Sequence, residues 1–243
     1  PMNFNDPLIN DLNAAQQEAV CSPLAHRLIL AGAGSGKTRV LVHRIAWLMQ
    51  KEHLSPFGIL SVTFTNKAAH EMRQRIEQLL SLPASGMWVG TFHGLSHKLL
   101  RLHHEAAGLP ESFQILDSDD QLRLVKRVMR SHEIDESKWP PKQAQWFINH
   151  SKEEGLRPHQ LPNNHHYALN DTLQLIYRDY EEVCQRSGLV DFSELILRSL
   201  ELLQNNPDIA RHYQERFHQI LVDEFQDTNN IQYQWLQALC GPH

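Results

Sequence analysis

The chain has 243 residues, of which 41% are hydrophobic and 21% charged, and a formal net charge of −5. That length suits one or two domains with ordinary cores, and no apolar run reaches the ~18 residues a membrane span needs, so no membrane partner is expected. An acidic balance speaks against a protein that coats duplex DNA with basic surface, while leaving room for a channel that grips single strands by stacking.

The first element is a short apolar strand at His26-Arg-Leu-Ile-Leu30, running into Ala31-Gly-Ala-Gly-Ser-Gly-Lys-Thr38. Gly32, Ala33, Gly34, Ser35 and Gly36 form a loop of small residues whose backbone N–H groups can approach crowded phosphate oxygens. Lys37 can reach the β- and γ-phosphates of a nucleotide, and the Thr38 hydroxyl can ligate magnesium. The general pattern for such loops opens on glycine, and here that position is Ala31. A helix over Val40–Met49, with apolar positions at Leu41, Ile45, Leu48 and Met49, follows and adds its positive N-terminal end.

A second strand, Ile59–Thr65, leads into a helix over Asn66–Leu80, for which Asn66 is the expected N-cap. A third strand spans Met87–Phe92. This alternation implies a parallel sheet with right-handed crossovers. Thr63-Phe64-Thr65-Asn66 lies where a strand meets a helix, and Thr91-Phe92-His93 repeats the arrangement at the next strand end. An aromatic ring between hydroxyls at a sheet edge suits a nucleic acid strand, the ring stacking on a base and the hydroxyls holding phosphates. Composition alone prefers Phe64 and Phe92 as core residues.

From His93 to Phe217 helical periodicity takes over, with helices expected at Leu95–His103, Asp119–Ser131, Lys142–Asn149, Thr172–Arg186, Phe192–Leu203 and Pro207–Phe217. Asp117-Ser-Asp-Asp120 and Asp191-Phe-Ser-Glu194 read as helix starts. The stretch Gln121–Arg130 carries Arg123, Lys126, Arg127 and Arg130 without an acid; it is a phosphate-contact candidate, although such runs are more often solvated faces. His93 and His97 stand four apart as in a metalloprotease helix, but the glutamate that chemistry needs is Gly94 here.

The α/β pattern resumes at Gln219–Asp223, a strand that ends in Asp223-Glu224. A carboxylate at the end of a parallel strand faces the ligand crevice. Asp223 suits magnesium, and Glu224 suits the polarisation of an attacking water. Asn229–Leu239 is a last helix, with Gly241-Pro242 as its stop. The whole reads as an α/β core interrupted by a helical insertion. Cys21, Cys184 and Cys240 are few, odd in number and scattered, which argues for a reducing, cytoplasmic setting and against disulfides. Pro1 ahead of Met2 reads as a residue added before a natural start.

Five stretches, in order, resemble the early motifs of superfamily 1A DNA helicases of the UvrD/Rep/PcrA type: Leu12-Asn-Ala-Ala-Gln16, Ala31 to Arg39, Val62-Thr-Phe-Thr-Asn-Lys-Ala-Ala69, Gly90-Thr-Phe-His-Gly94 and Val222-Asp-Glu-Phe-Gln-Asp-Thr228. The resemblance implies a RecA-like P-loop fold with an all-α insertion: a first part of motor domain 1A at 1–92, a helical domain 1B at 93–217 and a return to 1A at 218–243. It implies that Gln16 reads adenine, that Arg39 packs near the base, and that Lys37, Thr38, Asp223 and Glu224 serve phosphate, Mg2+ and water. It implies that Thr63, Phe64, Thr65, Asn66, Thr91, Phe92 and His93 line a single-strand track, which reverses the compositional preference at Phe64.

The activity so implied is ATP-dependent 3′-5′ translocation and unwinding in DNA repair, with single-stranded DNA, single-strand/duplex junctions and repair proteins as partners. Family members continue well past the position where this sequence stops, so an N-terminal portion is expected, hydrolysing ATP slowly if at all. Two alternatives stay open: a passive nucleotide- or strand-binding module, and a subunit of a helicase–nuclease of the RecB or AddA kind.

Overall fold

The computed structural model describes residues 28–30, 37–81, 83, 86–162, 168–223 and 228–241. They fall into two compact units: one of residues up to Leu95 with Asn206–Thr228 and Leu236 onward, the other of Ser96–Asn205 with Asn229–Trp235.

The first unit is built on four parallel strands: β1 (Leu28–Leu30), β2 (Ile59–Thr63), β3 (Trp88–Thr91) and β6 (Gln219–Val222), in the spatial order β1-β6-β2-β3. The last strand in the chain therefore sits between the first two. Every residue of β2 and β6 is buried, which is why these segments read as apolar runs rather than as alternating patterns. Helices α1 (Lys37–Gln50) and α2 (Asn66–Leu80) are the crossovers. Leu41, Val42 and Ile45 of α1 and Ala69, Met72 and Ile76 of α2 share a core with Ile59, Val89 and Leu221 of the sheet. This is a parallel sheet flanked by helices, as the alternation predicts.

The start of α2 differs from expectation by one residue. Thr65, not Asn66, is the N-cap: it is extended at φ −129, ψ 149, and its hydroxyl accepts from Ala68 N–H at 3.0 Å. Thr65 follows directly on the strand, so it already has the extended backbone a cap requires. Asn66 becomes the first helical residue.

The helix Pro207–Arg216, α8 in chain order, belongs to the sheet unit. Tyr213 and Phe217 pack their rings 5.4 Å from Trp88 of β3. Arg216 lies over the Phe57, Trp88 and Phe217 rings and donates to Phe57 O at 2.8 Å. Gly86, at φ +86, meets the Phe57 ring so closely that a Cβ there would come within 2.8 Å of it.

The second unit is helical: α3 (Phe92–Leu102) enters it, followed by α4 (Ser118–Ser131), α5 (Pro141–Glu153), α6 (Ala168–Ser187) and α7 (Phe192–Asn205). Asp117 caps α4 through Asp120 N–H at 2.7 Å, and Asp191 caps α7 through Glu194 N–H at 2.7 Å. Those are the helix starts legible in the sequence. A parallel pair, β4 (Gln114–Leu116) and β5 (Leu189–Asp191), was not legible, since three residues carry no usable period. Leu124, Val125, Met129, Ile148, Ile176, Tyr177 and Tyr180 form the core.

Beside that core lies a buried ion network. Lys152 is 1% exposed, and its Nζ meets Glu181 at 2.6 Å, Asp191 at 2.6 Å and Glu194 at 3.0 Å. Arg157 engages Glu194, Glu181 and Glu201. These carboxylates hold the Lys152 ammonium well above its usual range against the opposing effect of burial. A helix α9 (Asn230–Cys240) closes the described chain, and Gly241 follows at φ +77, the left-handed turn a helix stop requires. Among the described residues no helix is long and apolar enough to cross a membrane.

Candidate nucleotide and single-strand site

Parallel pairing sends the segments that follow β1, β6, β2 and β3 out of one edge of the sheet. Open α/β sheets bind their ligands at such edges. Leu30 and Val222 are abreast in the β1–β6 register, and Asp223 directly follows Val222. Neighbouring strands lie about 4.8 Å apart. Asp223 is 7% exposed, and its N–H donates to Val62 O at 3.1 Å. The two chemically marked ends, distant in sequence, are adjacent strands in space.

α1 begins at Lys37, with Thr38 and Arg39 in its first turn, and that turn holds no acidic residue to offset the positive helix end. Arg39 is exposed and, with His43, Arg75 and Gln78, lines a cavity of about 420 Å³ between α1 and α2. Gln16, Gly32, Ala33, Gly34, Ser35, Gly36 and Glu224 lie outside the described residues, as do the side chains of Lys37 and Thr38. Among the described residues no cluster of three or more His, Cys, Asp or Glu side chains could enclose a metal. Magnesium does not require one, since it binds through one or two protein oxygens, phosphates and waters. A buried carboxylate at the end of β6 fits that role.

The residues expected from the sequence to face a nucleic acid strand divide into two groups by burial. Phe64 is half-buried, and Thr65 and Asn66 are exposed. Thr63, Thr91 and Phe92 are buried. Thr63 donates its hydroxyl to Thr65 O at 3.1 Å, and Thr91 Oγ1 accepts from Gly94 N–H at 2.9 Å. The hydroxyls of Thr65 and Thr91 thus serve the starts of α2 and α3. Phe64 and Phe92 meet edge to face, with ring centroids 5.5 Å apart. His93 is half-buried, and burial lowers its pKa to about 4, so its ring is neutral at physiological pH. His97 accepts from Arg101 Nε at 3.0 Å.

On α4, Arg123 meets Asp120 at 2.9 Å and Arg130 meets Glu136 at 3.3 Å, the behaviour of a solvated face. Sequence reasoning missed the Lys152–Asp191 network, because a lysine or an aspartate in isolation gives no sign of burial. The Phe64–Phe92 contact did leave a signal, the repeated Thr-Phe at two strand ends.

Comparison with known proteins gives a consistent picture. Residues 12–243 match the UvrD/REP helicase N-terminal domain family. DNA helicase II of Escherichia coli is 60% identical over 96% of this chain, which covers 32% of that protein. DNA helicase II of Haemophilus influenzae is 54% identical over 96% of the chain, covering 33% of that protein. The ATP-dependent DNA helicase PcrA of Bacillus subtilis is 38% identical over 98% of the chain, covering 32% of that protein. The chain spans about a third of the length of these curated relatives. With its parallel sheet, its phosphate-loop sequence before α1 and Asp223 at the adjacent strand end, the chain belongs to the UvrD/REP helicase N-terminal domain family.

Proposed function

We propose that this chain is the ATP- and single-strand-binding N-terminal part of an ATP-driven DNA helicase. In this reading the sheet unit is motor domain 1A, and the helical unit is its insertion, domain 1B. The observation that carries it is the β1–β6 pairing, with Leu30 beside Val222, since it sets the strand that precedes the phosphate-loop sequence against the strand that ends at Asp223.

Each residue then has a task set by its position. Gly32 to Gly36 and the first turn of α1 present N–H groups to the triphosphate. Lys37 neutralises the β- and γ-phosphates, Gln16 reads the adenine edge and Arg39 packs on the base. Thr38 and Asp223 would hold magnesium, which when bound supplies charge neutralisation at the phosphates. Glu224 orients and deprotonates the attacking water. Phe64, Thr65, Asn66 and His93 face a single strand at the adjoining part of the same edge, with Thr63, Thr91 and Phe92 beneath them. Asp223 N–H bonds to β2 one residue before Thr63, so nucleotide and strand segments share one hydrogen-bonded sheet.

The relatives named DNA helicase II and ATP-dependent DNA helicase PcrA support ATP-driven DNA unwinding as the role of the whole protein. The family resemblance of the motifs extends this reading to 3′-5′ unwinding of single-strand/duplex junctions in DNA repair, in the cytoplasm. Titration with a fluorescent ATP analogue and magnesium tests the site. Lys37→Ala is expected to lose nucleotide affinity by roughly 100-fold, and Asp223→Asn to lose the magnesium dependence while strand affinity persists. Unchanged affinity in Lys37→Ala would remove the nucleotide site from this crevice.

A further inference from the structure

The Thr-Phe repeat has a geometric consequence. β2 and β3 are parallel, with Thr63 opposite Thr91, so the residues that directly follow the two strand ends, Phe64 and Phe92, come side by side. Their rings meet at 5.5 Å with planes inclined at 62°. The two phenylalanines are not equivalent. Phe92 is 1% exposed, whereas Phe64 is half-buried at the sheet edge.

The backbone around Phe64 is held on both sides. Thr63, wholly buried, donates its hydroxyl across Phe64 to Thr65 O, and Thr65 caps α2. The Phe64 Cα–Cβ direction is therefore set. What the backbone leaves open are the two side-chain torsions, and the one that tilts the ring is broad in phenylalanine. A contact that selects a tilt is the edge-to-face meeting with Phe92, a geometry favoured by the ring quadrupoles. Phe92 is itself packed in the interior, and its backbone starts α3 directly after the buried Thr91, whose hydroxyl accepts from Gly94 N–H.

We propose that Phe92 is a positioning residue for strand binding: it does not touch the nucleic acid but fixes the plane of Phe64, the ring on which a base stacks. This rests on the strand-binding reading above and changes the role of Phe92 within it from contact to support. A ring held at one tilt loses less torsional freedom when a base stacks, and it presents the same face to every base, which suits binding that tolerates any sequence.

The test uses the full chain and an oligo(dT) carrying one 2-aminopurine, whose fluorescence is quenched when the base stacks on an aromatic ring. Phe64→Ala, Phe92→Leu and the double variant are compared for strand affinity, quenching, fluorescent-nucleotide affinity and thermal midpoint. Phe64→Ala should weaken strand binding roughly tenfold. Phe92→Leu, which keeps apolar bulk but removes the aromatic partner, should weaken it about fivefold and reduce quenching within the remaining complex, with nucleotide affinity unchanged.

In the Phe64→Ala background, Phe92→Leu should cost nothing further. Equal losses from Phe92→Leu with and without Phe64, or undiminished quenching in Phe92→Leu, would overturn the positioning role while leaving strand binding in place. A wild-type chain that does not bind the oligonucleotide, or a Phe64→Ala variant of full affinity, would instead overturn the strand-binding reading and this inference with it.

Discussion

Single residues at the sheet edge divide their labour according to burial. Thr65 is exposed and caps α2, Thr63 and Thr91 are buried and bond to nearby backbone, and Phe64 alone of the aromatic pair reaches the surface. The sequence identified all of these positions but could not rank them, because exposure depends on what packs above a residue. His93 carries a measurable consequence. Its pKa falls from 6.5 to about 4 through burial. The unfolded chain therefore takes up a proton near the ordinary value, while the native protein waits until near pH 4. Stability from this residue is complete above pH 6.5 and is lost as pH falls toward 4. We expect urea unfolding of the wild type to weaken more steeply between pH 7 and 5 than that of His93→Gln. Identical pH slopes for the two proteins would show that His93 is solvated.

At the scale of elements, helices with strong 3.6-residue periodicity were legible to within a few residues, as at Phe192–Asn205 and Pro207–Arg216. The short β4–β5 pair was not, because its stability comes from partners distant in sequence. The same holds for the ion network that links α5, α6, β5 and α7. Asp191 there serves three bonds at once: a cap for α7, an ion pair with Lys152, and acceptance from Tyr180 Oη at 2.6 Å. Removing one partner of such a network leaves unneutralised charge in the interior. Lys152→Met is expected to destabilise the helical unit by about 3–5 kcal/mol, read from its urea midpoint by circular dichroism. Arg123→Met, which breaks only an exposed pair, is the control and should shift nothing measurable. Comparable midpoints for the two variants would mean that Lys152 is hydrated after all.

For the molecule as a whole, the chain covers about a third of its helicase relatives. Arginines that neutralise the γ-phosphate contribute on the order of 10³ or more in rate in related NTPases, and the motifs read in this chain supply none for that role. We expect the isolated chain to bind ATP yet hydrolyse it at least about 10³-fold more slowly than a full-length relative, with no stimulation by single-stranded DNA. A coupled phosphate-release assay with and without oligo(dT) checks this, and robust strand-stimulated turnover would refute it. The amino-acid sequence by itself determined the fold class and marked the repeated Thr-Phe and the strand end at Asp223, since each is a local pattern set by backbone geometry. Only the tertiary structure decided that β6 lies between β1 and β2, that one phenylalanine of the pair is covered and the other half-exposed, and that Lys152 is buried among carboxylates. Those facts depend on which distant segments pack together, and the free energy of that packing is shared across the whole core rather than written in any one stretch of chain.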